Sequence, residues 1–287
     1  MPIVGNVTMD QLMVDCGDTI VESGDEVVSY GRTSRSGGEG CPLDLVVFAP
    51  VHPEHLTREL FDPLVTAQER HMQPWVASFD GECRYRAFAG HPGPGRAPTG
   101  EAAWLEASGY EAVEWEASLV RPNLDDIPVL TLPDGVDVRP VTPDQLRPIW
   151  NAHMEAFRGE WDFEEPTPEM VDAELAEPYV DHTLWKVAWA GDEIVGQVKS
   201  FINPEENEAR GYLRGYTEYI SAHHDWRNRG IAGALLAMSL VELRDRGMTE
   251  AALGVDTNNA GGAFQLYTKL GFELRAYQAI YGKAVTS

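Results

Sequence analysis

Residues 224–236 read HDWRNRGIAGALL and place two arginines and two glycines directly before an apolar helix. A strand-like stretch, GYTEYISA, precedes them at 215–222, and Gly247 is placed to end the helix. The first amide groups of a helix have no intrahelical acceptor and lie at the positive end of its dipole. Small residues let an anion approach those amides, and Arg227 and Arg229 add positive charge. The stretch therefore predicts a strand, an anion-binding turn and a helix.

The surrounding patterns predict an α/β fold with a mixed sheet over residues 136–287. Thr142, Pro143 and Gln145 form a capping box at the start of one helix, and Pro168 starts a second helix. A hairpin follows, and then come a strand, the helix after the arginine turn, a strand, a short helix and a final strand. The sequence thus predicts this order of elements for the second domain.

Two segments of the chain repeat in the same order. VHPEHLTREL at 51–60 aligns with AHHDWRNRGI at 222–231, and AAWLEASGYE at 102–111 aligns with FQLYTKLGFE at 264–273. Such order predicts duplicated domains, with a degenerate and incomplete lobe at 41–130. The first copy lacks the arginine, the glycine and the phenol of the second: Leu56 stands opposite Arg227, Glu59 opposite Gly230, and Leu105 opposite Tyr267. Only the second copy is expected to bind an anion in this way.

The arginine turn resembles a known coenzyme-binding loop. Arg227-x-x-Gly230-x-Ala232 is similar to the [Arg/Gln]-x-x-Gly-x-[Gly/Ala] loop of the GNAT superfamily of N-acetyltransferases. The later segment NNAGGAFQLYTKLGF resembles the Asn…Ala…Leu-Tyr…Leu-Gly-Phe segment of the same family. The resemblance covers roughly residues 136–283 and implies tandem GNAT-like domains, similar to mycothiol synthase and its relatives.

The resemblance implies an acetyl-CoA-dependent transfer of acetyl to the primary amine of a small molecule, by direct attack and without a metal. It assigns the coenzyme pyrophosphate to Arg227, Asn228, Arg229, Gly230, Ile231, Ala232 and Gly233. The pantetheine arm would pair with the strand Tyr219, Ile220, Ser221 and Ala222, where a bulge would free an N–H for the thioester oxygen, and Asn259 would hydrogen-bond the arm. Tyr267 would protonate the departing thiolate.

The general base is less well defined by the sequence. Glu218 lies on the strand that leads to the loop, where such enzymes often place a base, but it also reads as a solvent-exposed or salt-bridged side chain. His223 and His224 are alternatives in the turn before the loop. Glu205 and Glu206, in the predicted acidic loop NPEENEAR, are expected to be solvated or to attract a cationic amine.

Composition narrows the class of partner. The chain has 46 acidic and 22 basic residues, a net charge of −24, and a pI near 4.6. Such a surface repels nucleic acid and anionic lipid, so we expect neither as a partner. Three widely spaced cysteines predict a reducing compartment and no structural metal. We see no secretory signal and no apolar run long enough for a membrane span, and we therefore expect a cytoplasmic protein.

Residues 1–40 fit the GNAT pattern least well. Short alternating runs predict strands, and TSRSGGEG at 33–40 reads as a flexible linker. The segment resembles the C-terminal β-domain of alanine racemase, including the pair Met9-Asp10, over about 30 residues. The lysine-bearing barrel of that family has no counterpart here, so racemase activity is not implied.

Two rival functions stay open at this point. A non-catalytic CoA-binding regulatory or scaffold protein would bind the coenzyme without turnover. A racemase-related module would instead depend on the N-terminal strands. The acceptor amine, the acyl-chain preference and the existence of a homodimer are left undecided by the sequence.

Overall fold

The computed structural model describes most of the chain, namely residues 19–23, 26–37, 42–158, 166–177, 180–257 and 262–285. These residues form two compact units. The first comprises described residues within 1–117, 256–258 and 276–287, and the second comprises those within 118–255 and 259–275. No helix in the described ranges is both long enough and apolar enough to cross a bilayer. Met9-Asp10, the pair that resembles alanine racemase, lies outside these ranges.

The first unit packs two helices on a mixed set of strands. Its elements are β1 (Thr19–Ser23), β2 (Glu26–Gly37), β3 (Leu43–Phe48), α1 (Arg58–Ser78), β4 (Cys83–His91), α2 (Glu101–Ala107), the first part of β5 (Glu111–Arg121), and most of β11 (Glu273–Ala284). The strand order is β1-β2-β3-β4-β11, with β3 and β4 parallel and the other pairs antiparallel. Its core is formed by the apolar faces of α1, α2 and the strands, including Leu45, Met72 and Leu105.

The prediction of a flexible linker at 33–40 is wrong over its first five residues. Residues 33–37 belong to β2 and pair with Leu43–Val47 of β3. The sequence of β3, LDLVVF, is strongly apolar, and its backbone groups need partners when it is buried. Serine and threonine tolerate the extended backbone, so this polar stretch supplies the neighbouring strand. Residues 38–40 lie outside the described part of the chain.

The second unit follows the predicted order of elements. It contains β6 (Val136–Val138), α3 (Leu146–Phe157), α4 (Pro168–Leu175), β7 (Lys186–Ala190), β8 (Glu193–Ile202), α5 (Pro204–Arg210), β9 (Arg214–Ala222), α6 (Ile231–Asp245), β10 (Glu250–Asp256) and α7 (Ala263–Lys269). The strand order is β10-β9-β8-β7-β6, with β9 and β10 parallel and the other pairs antiparallel. The predicted capping box of Thr142 and Gln145 is present and opens a 3₁₀ turn ahead of α3.

The final strand lies outside the unit to which the sequence assigned it. Most of β11 pairs antiparallel with β4, from Tyr277 opposite His91 to Ala284 opposite Arg84. Ala279 and Tyr281 are fully buried in the core of the first unit. The predicted boundaries, 41–130 and 136–287, therefore need correction, because long-range pairing places this strand with the first copy.

Two strand glycines let α6 lie close to the sheet. A Cβ at Gly196 would come within 2.6 Å of Cγ2 of Ile231, and one at Gly215 within 2.4 Å of Cδ2 of Leu243. Real Cβ atoms do not approach other atoms so closely, so both positions need glycine to keep this packing. Gly196 faces the start of the helix and Gly215 faces its last turns, and together they fix the position of the helix start.

The segment NPEENEAR is a helix and not the predicted loop. The Asn203 side chain accepts a hydrogen bond from Glu206 N at 3.0 Å, Pro204 occupies the first turn, and Gly211 ends α5 in the left-handed conformation. These are ordinary helix start and stop signals. Glu206 is not simply solvated, because it accepts hydrogen bonds from the hydroxyl groups of Tyr212 at 2.5 Å and Tyr216 at 2.9 Å.

Candidate functional site

Strand β9 carries a bulge at the position expected from the sequence. Its pairing with β8 matches Ser221 to Gln197 and Glu218 to Lys199, so two residues of β9 lie opposite one residue of β8. Tyr219, in the bulge, has a φ of 51°. A bulge leaves one residue out of the ladder and locally breaks the pairing. The structure thus provides the irregular strand that the predicted thioester site requires.

The other edge of β9 is paired over only part of its length. The parallel ladder with β10 joins Arg214–Tyr216 to Glu250–Ala252, whereas β9 continues to Ala222. Beyond this ladder, Oε1 of Glu218 accepts a hydrogen bond from Gly254 N at 3.2 Å. The strand edge that the sequence assigned to the pantetheine arm, residues 219–222, lies past the end of the ladder.

The arginine turn opens onto a helix start that carries no side-chain cap. Gly230 has a φ of 83° and precedes Ile231, and the first turn of α6 contains no acidic residue. The first intrahelical bond runs from Ala234 N to Gly230 O at 3.0 Å, so the amides before Ala234 keep their outward donors. The turn is exposed from Arg227 to Gly230. The helix start therefore presents these amides next to an exposed turn that carries two arginines.

The first copy has the same turn but a different helix start. His52 Nδ1 accepts from Glu54 N at 3.3 Å, and His223 Nδ1 accepts from Asp225 N at 3.4 Å, at matching positions of the repeat. In the first copy, however, Glu59 lies in the first turn of α1. A carboxylate there already occupies the positive end of the helix dipole.

The two arginines of the turn differ in their surroundings. The guanidinium of Arg227 donates to Ala156 O at 2.7 Å and to Ala222 O at 3.5 Å, and so ties the turn to the end of α3. The guanidinium of Arg229 is exposed and lies 4.7 Å from the centre of the Trp226 ring. Both side chains are exposed, and Arg227 also holds the turn in place through its two carbonyl acceptors.

The short helix α7 buries the predicted acid. Tyr267 is 6% exposed, and burial raises its pKa to about 12, with the nearby carboxylate of Glu218 adding to the shift. Its phenol consequently holds its proton at neutral pH. Gly233, in the first turn of α6, packs against α7: a Cβ there would lie 3.1 Å from Cδ1 of Leu266. Ala232 is partly exposed, and Asn259 falls outside the described residues.

A polar cluster that the sequence reading missed lies on the α3 side of the bulge. Lys199 is 4% exposed, and its Nζ lies 4.0 Å from the Trp150 ring centre, 4.5 Å from Tyr219 and 5.2 Å from Trp185. His153 Nδ1 lies 3.2 Å from Ser221 Oγ. The sequence signal for this cluster was the two-residue alternation in β8, which places Gln197, Lys199 and Phe201 on one face of the strand.

Three potential metal ligands lie close together in the described part of the chain, although the sequence predicted no metal site. One ligand atom each of His223, His224 and Asp225 lies within 4.8 Å of the others. His224 and Asp225 are exposed, and His223 Nδ1 already accepts the hydrogen bond from Asp225 N. The group is part of the turn that leads to α6.

Comparison with known proteins finds a family match within the second unit. Residues 146–272 match the family described as acetyltransferase (GNAT) family. The chain is 27% identical over 193 residues to mycothiol acetyltransferase from Geodermatophilus obscurus, covering 64% of this chain and 60% of the relative. It is 29% identical over 264 residues to mycothiol acetyltransferase from Streptomyces coelicolor, covering 90% and 76%. The match thus spans about three fifths of the first of these relatives.

Solved structures support the same fold. The GCN5-related N-acetyltransferase from Sphaerobacter thermophilus superposes with a TM-score of 0.72 at 23% identity, covering 94% of this chain and 81% of that one. A tandem GNAT protein from the clavulanic acid biosynthesis pathway gives a TM-score of 0.64 at 15% identity, covering 94% and 83%. At such identities the likeness concerns the fold. The predicted mixed α/β fold with tandem GNAT-like domains is confirmed.

Proposed function

We propose that this chain transfers acetyl from acetyl-CoA to the primary amine of a small molecule, because residues 146–272 match the acetyltransferase (GNAT) family. The observation that carries the proposal is the juxtaposition at β9: a bulge, a strand edge beyond its ladder, and an uncapped helix start. Peptide groups at such places bind an extended arm and a phosphate without a metal.

The described residues fit this coenzyme by their chemistry. Amides at the start of α6 and the guanidinium of Arg229 would meet the pyrophosphate, with Asn228 and Gly230 shaping the turn. The backbone of Tyr219 to Ala222 would pair with the arm, and Asn259 would add a hydrogen bond. The acceptor amine would attack the thioester directly.

The acceptor is proposed at the level of its class. The chain is strongly acidic, which favours a cationic amine over an anionic partner. The names of the relatives make the desacetyl form of mycothiol the first acceptor to assay, alongside other small amines. We place the reaction in the cytoplasm, where reduced cysteines persist. The oligomeric state is testable by gel filtration.

Tyr267→Phe tests the chemistry of the site. Removing the phenol leaves the thiolate without its proton donor, and we expect kcat to fall by about 10²-fold with acetyl-CoA affinity nearly unchanged. The measurement is acetylated product by mass spectrometry. Tyr110→Phe is the matched control, because its hydroxyl donates to Glu69 at 2.7 Å in the first unit. Equal turnover in Tyr267→Phe and the parent chain would contradict the assignment.

Glu218 stays the sequence-derived candidate for the base. Its carboxylate accepts from Gly254 N and lies near Tyr267. Glu218→Gln keeps the size of the side chain and removes its negative charge, so its effect on kcat measures the part of this carboxylate in proton removal.

A further inference from the structure

Lys199 is a buried amine beside the candidate site. It lies in β8 directly opposite Glu218 of β9, in the pair that flanks the bulge. Lysine is rarely buried to 4% exposure unless its ammonium is paired. This position therefore calls for a physical explanation.

The amine has no hydrogen-bond partner within the described part of the chain. Nζ of Lys199 is buried and unpaired, and so are Oε1 of Gln197 and Nε1 of Trp150. Three aromatic rings surround Nζ at 4.0 to 5.2 Å. Aromatic faces stabilise a cation by a few kcal/mol at most, less than the loss of water costs. The cage thus tolerates the ammonium but does not require it.

The titratable groups that face Lys199 come from three elements. Tyr219 lies on β9, His153 on α3, and Glu174 on α4. The carboxylate of Glu218, which pairs with Lys199 in the ladder, instead accepts a hydrogen bond from Gly254 N. The Tyr219 hydroxyl donates to Oε1 of Glu174 at 2.8 Å. Burial lowers the pKa of Lys199 to about 7, and the Glu174 carboxylate opposes that shift. The lysine therefore exchanges its proton close to neutral pH.

We propose that Lys199 is the proton acceptor that converts the acceptor ammonium into a neutral amine for attack at the bulge of β9. The inference rests on the proposed acetyl transfer. Glu218 already accepts a hydrogen bond from Gly254 N, whereas the lone pair of a neutral Lys199 amine has no donor among the described residues. A base whose pKa lies near the working pH is also the most effective kind.

The proton and electron balance is complete. The acceptor ammonium gives one proton to Lys199 Nζ, and the neutral amine forms a C–N bond to the thioester carbon. The C–S bond breaks with its electron pair on sulfur, and Tyr267 protonates the thiolate. The nitrogen then loses its second proton to the Tyr267 phenolate, which restores the phenol. Lys199 releases its proton to water. One proton is released for each amide formed.

The first test is direct titration of the amine in the full-length protein. The chain contains only four lysines, so ¹³Cε-lysine labelling gives four signals. The signal that disappears in Lys199→Met should titrate around pH 7. Lys186→Met, which removes a lysine whose Nζ is paired with Glu242 at 3.0 Å, is the control and should remove a different signal. A Lys199 signal that titrates above about pH 9, like an ordinary lysine, overturns the proposal.

The second test is the pH dependence of turnover. Lys199→Met should lower kcat by about 10²-fold or more and remove the fall in rate below neutral pH, while acetyl-CoA affinity stays within about twofold. Lys199→Arg should be as inactive as Lys199→Met, because the arginine side chain cannot lose its proton. Parent-like kcat in Lys199→Met overturns the proposal and leaves acetyl transfer standing. A parent chain that transfers acetyl to no amine overturns both proposals.

Discussion

At the scale of single residues, the second unit lowers the pKa of two buried basic groups. Burial, with a smaller contribution from the charge of Lys199, lowers the pKa of His153 to about 3. Lys199 is lowered in the same way, to about 7. Both groups bind a proton more readily in the unfolded chain than in the folded one. Each therefore lowers the free energy of unfolding at every pH below its unfolded-state pKa, and the full cost is reached at and below its folded-state pKa.

Lys199→Met should change the pH dependence of stability. Between about pH 7 and 10 the unfolded chain carries a proton at Lys199 that the native state lacks, so stability should rise with pH across this range. The cost of the lysine is fully present at pH 7 and below, and the methionine variant should be more stable there, by roughly 2–4 kcal/mol.

Urea unfolding followed by tryptophan fluorescence at pH 7 and pH 9.5 checks this prediction. The advantage of the methionine variant should shrink at the higher pH. A difference of the same size at both pH values, or a less stable methionine variant at pH 7, would show that the native amine keeps its charge.

At the scale of elements, the start of α6 is held in place by its packing against β8. Ile231 is β-branched and lies in the first helical turn, so its Cγ2 cannot rotate away from a new methyl group at Gly196. Leu243, which faces Gly215, has a longer and more adaptable side chain. The two strand glycines thus contact opposite ends of the same helix, and their alanine variants form a matched pair.

Gly196→Ala should displace the helix start, whereas Gly215→Ala should not. Both variants should lose on the order of 1–3 kcal/mol of stability through overpacking. Only Gly196→Ala should also weaken acetyl-CoA binding, by about tenfold, since the outward amides lie at that end. Thermal unfolding and calorimetric titration measure the two effects. Equal loss of affinity in both variants would contradict a role for the placement of the helix start.

At the scale of the whole molecule, two copies of one turn have acquired different helix starts. The repeat aligned the two segments, and the structure shows that both contain a turn in which a histidine Nδ1 accepts from the amide of an acidic residue two positions later, at His52 and His223. The repeat predicted the contrast between Glu59 and Gly230. Local sequence was sufficient for these features, since caps and turns depend on neighbouring residues.

Features that depend on long-range pairing were not predicted from the sequence. The placement of β11 beside β4 depends on residues nearly 200 positions apart. Lys199 reads as a solvent-facing lysine in an alternating strand, and only the approach of Trp150 and Trp185 makes it a buried amine. Residues 33–37 of the Ser/Gly stretch belong to β2, where they supply hydrogen-bonding partners for the apolar strand β3.

Coenzyme binding by the second copy alone is the central claim, and calorimetric titration with acetyl-CoA tests it most directly. We expect one site per chain in the parent, and a loss of affinity of at least about 100-fold in Gly230→Glu, which gives α6 the carboxylate found in the first copy. Gly247→Glu is the control: it has the same charge change and a φ of 88°, against 83° at Gly230, but lies beyond the far end of α6. Two sites per chain, or equal affinity in Gly230→Glu and Gly247→Glu, would contradict the account.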